Sequence, residues 1–560
     1  MLFSGSQEKV KEKSLDLGAV EFDIKTALES EHYHLYKFLG VNTNPQTQET
    51  SFRVWAPNVK AVSLIADFNG WSKRTNPMQQ IADTGIWTLT IPKRDHAFAY
   101  QFAIHQQNDE INIINDPYSK DTINETRFAS YFQEDSFTWQ DQDWIKRREN
   151  SDYKDKAVII KAIDLDILLD KKTCNFQSLA NLILQEAKEE GVTHIELVNA
   201  FEAVINLSYS NQFSKSKEAF FLCPSSAYGQ SNDFKCFIDF LHQNNLGVII
   251  NLPFFANEIS SQFGNFKSLQ KPIHTNFYLS VISYWLEEMH IDGFNFGPLE
   301  QILLKENKKN HEFITRANNI IHKRSKGVFS LAQETSCFNL MTNVHKDSLD
   351  FDFKLNVIWL KELIEILKSK PENLENFCSN LLSENFLLGI IKDFDTKGLT
   401  ENDLKIILSL SFLLPSKKYF KQGFLEEIFG KFQKLKTFYE DLSMLYEDES
   451  IFHETDLLTE RFCLTNIEKN VVTFQRWSYD FSELVVLAVN FANTAKQSFQ
   501  IDVPNAGFYR EIFNSSSYSK QSSLSNDDGV YTYSNQKSLS NKSIAIDIPA
   551  KTILCYKFSK

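Results

Sequence analysis

The 560-residue sequence predicts an α/β protein, a central (β/α)8 barrel flanked by two all-β sandwiches. Three observations carry that expectation. Short alternating strands fill the region from about residue 36 to 104, helices and strands alternate in series from about 155, and strand texture returns from about 460. The expected domains are an arm at 1–30, a sandwich at 31–145, a barrel at 146–458 and a sandwich at 459–560.

The first sandwich, of immunoglobulin-like build, rests on "SFRVWAP" (51–57), "KAVSLIADF" (60–68), "GIWTLTIP" (85–92) and "AFAYQFAI" (97–104), with "NG" (69–70) and "DTG" (83–85) as turns. The barrel opens on the strand "KAVIIKAID". A helix ending at Gly191 and the strand "VTHIELVN" follow. The next helix carries Phe234, Phe237, Ile238 and Leu241 on one face and leads into "LGVIINL". A helix over 275–290, with Val281, Trp285 and Met289 in one stripe, precedes a strand from Asp292 to Phe296. "KGVFSLAQ", "ENFLLGII" and "KKYF" are further strands. At least seven β/α units in series favour a closed (β/α)8 (TIM) barrel over an open sheet. "VVTFQRW", "ELVVLAVNF" and "KTILCYKF" build the last sandwich around a Ser/Asn-rich loop at 514–542.

Composition excludes several classes. A net charge of −13 argues against nucleic acid and anionic membrane surfaces. The cysteines at 174, 223, 236, 337, 378, 463 and 555 form no CxxC pair, so a reduced, mostly buried set is expected rather than a disulfide framework or zinc site. No long apolar run marks a signal peptide or a membrane span, and a cytoplasmic protein is expected. With 18 Gly against 48 Phe, the chain is poor in the residue that shapes ligand-binding loops.

The motifs are more specific. "SFRVWAP…AVSLIADFNGW…NPM…GIWTLTIP…DPYS" resembles the family 48 carbohydrate-binding module of glycogen branching enzymes. "CPSSAYGQSNDFKCFIDFLHQNNLGVIINLP", "YWLEEMHIDGFNF", "SLAQETS", "FDFKLNVIWLKELIEIL" and "ENFLLGIIKDFD" resemble, in order, successive barrel segments of those enzymes. From about residue 35 onward the chain resembles a 1,4-α-glucan branching enzyme of glycoside hydrolase family 13. The resemblance implies α-glucan as ligand, no cofactor and no metal.

Retaining glycosyl transfer needs two carboxyl groups about 5–5.5 Å apart, a nucleophile and an acid/base. By the resemblance the nucleophile position is Gly297 and the acid/base position is Gln333. Neither residue supplies a carboxylate. The third family carboxylate is retained as Asp393, beside Lys392 where the family has His. Former sugar-site positions fall at Asn251, Asn295, Ala256 and near Ser216. Asp292 cannot stand in for the nucleophile, because an odd offset on a strand points it to the opposite face. Glu300 and Glu334 are equally displaced, the first beyond Pro298 and the second by one residue. Trp71 and Trp87 are candidate sugar-stacking surfaces, and Trp55 is expected in the sandwich core.

Three readings stay open at this point. The chain is an inactive homologue that binds α-glucan, a structural or regulatory partner of an active glucan enzyme, or an active branching enzyme with displaced catalytic residues.

Overall fold

The structure is a computed structural model that describes residues 17–559 apart from 125–126, 170–174, 207–215, 253–270, 298, 300–307, 334–348, 357, 369–372, 382–385, 391–396, 457, 518–527 and 536–541. The chain divides into two compact units. One comprises Met1–Glu134, Phe201–Ser226 and Glu258–Glu288, and the other Asp135–Ala200, Ala227–Asn257 and Met289–Lys560.

In the first unit two sheets form the sandwich. Gly40–Asn44, Glu49–Trp55, Ile86–Pro92 and Gln79–Gln80 pair in that order. The second sheet runs Ala61–Ala66, Phe98–His105, Phe128–Phe132, Asp121–Asn124, with Ile111–Ile114 added to Phe98–His105. The "NG" signal is not a hairpin. It ends a 3-10 turn, Asp67–Asn69, which Gly70 closes in the left-handed region. The same unit holds the hairpin Phe201–Asn206 with Ser216–Pro224, and the helix Pro272–Glu287, which starts on a proline whose missing N–H costs nothing at a first turn. Val281 and Trp285 are buried as expected, but nearly every other residue of this helix is buried too. Met289 is buried beyond the helix end. Asn276 reaches from this helix to the end of Leu17–Glu29, where its side-chain N–H groups donate to the carbonyls of Ala27 (3.1 Å) and Ser30 (2.9 Å). Those carbonyls have no intrahelical partner, so Asn276 caps the helix from elsewhere in the sequence.

The second unit contains the closed barrel of eight parallel strands: Ile159–Asp164, His194–Val198, Gly247–Asn251, Gly293–Phe296, Phe329–Gln333, Phe353–Asn356, Phe386–Ile390 and Lys417–Lys421. The eighth pairs with the first and closes the ring. Alternate residues, among them Ile160, Ile249, Phe329, Leu331, Phe353 and Tyr419, pack into one lumenal cluster. The helices Phe176–Glu190 and Ser231–Gln243 lie where the sequence puts them. Asn175 caps the first, its side-chain oxygen accepting from the Ser178 N–H, and Gly191 ends it with φ of 64°. Phe234, Phe237, Ile238 and Leu241 are all buried.

Beyond the barrel, a six-stranded sheet and a three-stranded sheet share a core of Val486, Ile501, Ile544, Leu554 and Tyr556. Two short strands, Gly529–Tyr531 and Tyr533–Ser534, lie within the stretch read as a loop at 514–542. Among the described cysteines Cys223, Cys378 and Cys555 are buried, whereas Cys236 and Cys463 are exposed. All five are free thiols. Among the described residues no helix is long and apolar enough to cross a membrane, and no group of three His, Cys, Asp or Glu side chains is placed to hold a metal ion.

The N-terminal end of the barrel is tied by buried charge. Asp292, just before the fourth strand, accepts from Trp144 Nε1 (2.8 Å), Arg148 Nη1 (2.8 Å), His242 Nε2 (2.9 Å) and the Val248 N–H (2.7 Å). His242 Nδ1 meets Asp141 Oδ2 at 2.9 Å, and His290 Nδ1 meets the same oxygen at 2.8 Å. Ionised carboxylates only accept, so His242 must carry a proton on both ring nitrogens. Burial alone would lower its pKa, but the attraction of Asp292 and Asp141 raises it overall. Burial likewise opposes ionisation of Asp292, and His242 with Arg148 overcomes it, holding the carboxyl well below its ordinary range. The helix Gln142–Asn150 is thereby pinned to the barrel through Trp144 and Arg148.

Candidate active site

The opposite end of the barrel is built from the C-terminal tips of the third, fourth and fifth strands. Parallel register sets Asn251 beside Asn295, and Phe296 beside Ala332. One residue further on, Gly297 and Gln333 are neighbours. A Cβ placed on Gly297 would lie 2.7 Å from Gln333 Oε1 and 3.3 Å from Asn251 Nδ2. Gly297, Gln333 and Asn251 therefore converge on one spot. A hydrogen atom and two amides stand there.

Asn295 is fully buried one step below and turns its amide to Glu196 on the second strand. Glu196 Oε1 accepts from Asn295 Nδ2 at 2.9 Å and from Asn251 Nδ2 at 3.4 Å. Burial pushes the Glu196 carboxyl up to about 7, against the hydrogen bonds of Asn295, Tyr419 and Asn251 that favour its charge. Burial and the adjacent Glu196 together raise the Tyr419 phenol well above its usual value. Neutral donors satisfy a carboxylate less well than a guanidinium would, so the floor of the mouth titrates near neutrality. Glu196 was not among the sequence candidates. The available signal was a charged residue between the apolar Ile195 and Leu197 of the strand "HIELV", on its inward parity.

Among the other described candidates, none joins this spot. Asp292 sits at the far end of its strand, in the Arg148–His242 network. Asp393, Lys392, Glu300, Glu334, Pro298 and Ala256 lie outside the described residues, as does the side chain of Ser216. Trp87 offers no stacking face. It is 7% exposed, and its indole N–H donates to the Ala56 carbonyl at 3.0 Å, so it belongs to the sandwich core with Trp55. Trp71 is half-buried, with the Arg127 guanidinium 4.0 Å from its ring centre.

Comparison with known proteins adds the family. Residues 38–119 match the model of carbohydrate-binding module 48 (isoamylase N-terminal domain), and 464–559 match the alpha amylase C-terminal all-beta domain. The 1,4-alpha-glucan branching enzyme GlgB of Thermosynechococcus vestitus is 24% identical over 88% of this chain and 78% of its own length. GlgB of Clostridium perfringens is 26% identical over 91% of this chain and 90% of its own. The chain is a branching-enzyme homologue. Two solved structures share its fold. A Salmonella typhimurium protein assigned as an alpha amylase gives a TM-score of 0.67 at 14% identity, covering 93% of this chain and 99% of its own. Pullulanase from Bacillus acidopullulyticus gives 0.64 at 15% identity, covering 93% and 75%. The branching-enzyme relationship spans the barrel as well as both β domains, so the mouth at Gly297 and Gln333 belongs to a barrel of that lineage.

Proposed function

We propose that this branching-enzyme homologue acts by holding α-glucan and does not transfer glycosyl groups. The observation that carries the reading is the neutral mouth: Gly297 and Gln333 stand side by side, where two carboxyl groups would be required. An amide hydrogen-bonds a sugar oxygen but cannot cycle a proton at ordinary pH, and glycine provides no nucleophile. Asn251 and Gln333 keep donors and acceptors that suit hydroxyl groups. The module at 38–119 supports a glucan as ligand, with half-buried Trp71 as its candidate contact. The domains we propose are 31–145, 146–458 and 459–560.

The test is loss of the iodine complex of amylose, run at high protein concentration beside an active branching enzyme. The expected result is no loss above buffer, together with sedimentation of the protein on insoluble glycogen. Branching by the wild-type chain would overturn the reading and turn attention to Asp393, Glu300 and Glu334.

A further inference from the structure

A cleft of about 780 Å³ opens at the N-terminal end of the barrel, away from the mouth. The helix Gln142–Asn150 forms one wall, and the end of the helix Ser231–Gln243 with Asn245 forms another. Four amides line it: Gln140, Asn150, Gln243 and Asn245. Trp144 lines it too, half-buried, with one ring face stacked on His242 at 5.2 Å. The ionic groups balance, since Asp141 and Asp143 face Lys146 and Arg147 around the opening and the charge of His242 is matched by Asp292 behind it.

We infer that this cleft is a second saccharide site, binding a short α-1,4-linked glucan. The inference rests on the glucan reading proposed above and adds a location for it. Charge balance disfavours both an anion and a cation as ligand. Four planar amides offer donors and acceptors together, as the vicinal hydroxyls of a sugar require. An indole in the wall provides the flat apolar surface that a pyranose face covers. The volume falls inside the roughly 300–1,000 Å³ range of small-molecule sites, enough for a few sugar rings. A further observation points to a missing partner. Asp141 lines the cleft and is only 2% exposed, and its Oδ2 is held by His242 and His290, whereas its Oδ1 has no hydrogen-bond partner among the described residues. A buried carboxylate oxygen left in that state is costly unless a donor arrives.

The N-terminal end of a barrel is ordinarily the stability end. Here the charged network behind the cleft keeps Trp144 and Asp141 in fixed positions, which lowers the ordering cost of binding.

The experiment is hydrogen exchange of the full chain with and without saturating maltoheptaose, repeated on Trp71→Ala and on the double variant Asn150→Ala/Gln243→Ala. Both substituted amides of the double variant sit on helix surfaces outside the charged network, so its thermal midpoint should match the wild type. Slowed exchange over 140–151 and 242–246 is expected in the wild type and in Trp71→Ala, with at least fivefold weaker maltoheptaose affinity of those segments in the double variant. Protection confined to the N-terminal module would overturn the cleft site and leave the glucan reading standing. Undiminished affinity in the double variant would also overturn it. No protection anywhere, with no sedimentation on glycogen, would remove the glucan reading and the cleft site together.

Discussion

The two ends of the barrel have diverged in opposite senses. At the N-terminal end Asp292 is surrounded by an arginine, a protonated histidine, an indole N–H and a backbone N–H, all within 2.9 Å. At the C-terminal end the buried Glu196 accepts, through Oε1, from two asparagines. One end holds its carboxylate with cationic partners, and the other sets the amides of Asn251 and Gln333 around Gly297. A barrel needs the first arrangement to hold its strands and connecting helix, whereas the second concerns only what happens to a ligand. The difference teaches that fold and chemistry are maintained by separate residues on the same strands: Asp292 and Gly297 are five positions apart on one segment.

The largest effect should come from breaking the N-terminal network. Asp292→Ala leaves Arg148 and His242 charged and buried without their carboxylate, and a loss of about 3–5 kcal/mol is expected. Urea unfolding at pH 6 measures it. A loss below ~1 kcal/mol would mean that the two ends are equally dispensable and would dissolve the contrast.

Next comes Glu196. Its folded pKa, about 7, exceeds the ordinary carboxylate value, so the folded chain holds that proton more tightly than the unfolded one. Its share of stability is therefore greatest below the ordinary range and falls as pH rises through 7. The decline is on the order of 3 kcal/mol between pH 4 and pH 8. Glu196→Gln should remove that decline, stabilising the protein at pH 8 and leaving it nearly unchanged at pH 5. Denaturation midpoints at the two pH values read the crossing. Asp116, raised to about 6 by burial in the first unit, works in the same direction. Asp292, depressed, works in the other, its contribution fading as pH falls below the ordinary carboxylate range. With these three groups the maximum is expected at about pH 4, where the two trends cross, a result that a stability profile from pH 3 to 9 would establish or remove.

The smallest effect should follow from refilling the mouth. In Gly297→Asp/Gln333→Glu the new side chain at 297 meets the ends of the flexible side chains at 333 and 251, so stability at pH 5 should stay within ~1 kcal/mol of the wild type. No branching of amylose is expected from this variant, because position 295, directly below the two new carboxylates, holds an asparagine amide already given to Glu196. Recovered activity would show that the inactivity proposed above rests on no more than two residues.

Much of this contrast was legible in the sequence. The alternation of the fourth strand placed Asp292 and Gly297 on opposite parities, and the structure puts Asp292 at the far end on the outer face. The sixth strand, Phe353–Asn356, is four residues long and was visible only within a resemblance, because so short a run has no period of its own. Trp87 could not be placed from sequence. Its burial depends on the Ala56 carbonyl, 31 residues away, that takes its N–H. The His242 network was equally hidden, since its carboxylates lie 101 and 50 residues from the histidine. Tertiary partners at such separations leave no local pattern. Glu196 was hidden differently: its position was readable, but its raised pKa depends on which neighbours are amides rather than cations.

The capping of Leu17–Glu29 by Asn276 bears on how the chain is made. The carbonyl of Ser30 waits for a side chain 246 residues downstream. At roughly 5–20 residues per second, a ribosome needs about 12–50 s to reach it. During that interval the helix is without its finishing partner, and the first unit, drawn from segments as late as Glu288, is incomplete. The helix Leu17–Glu29 is thus locked in place long after it is made, so products truncated before Pro272 would be released with the first unit unfinished.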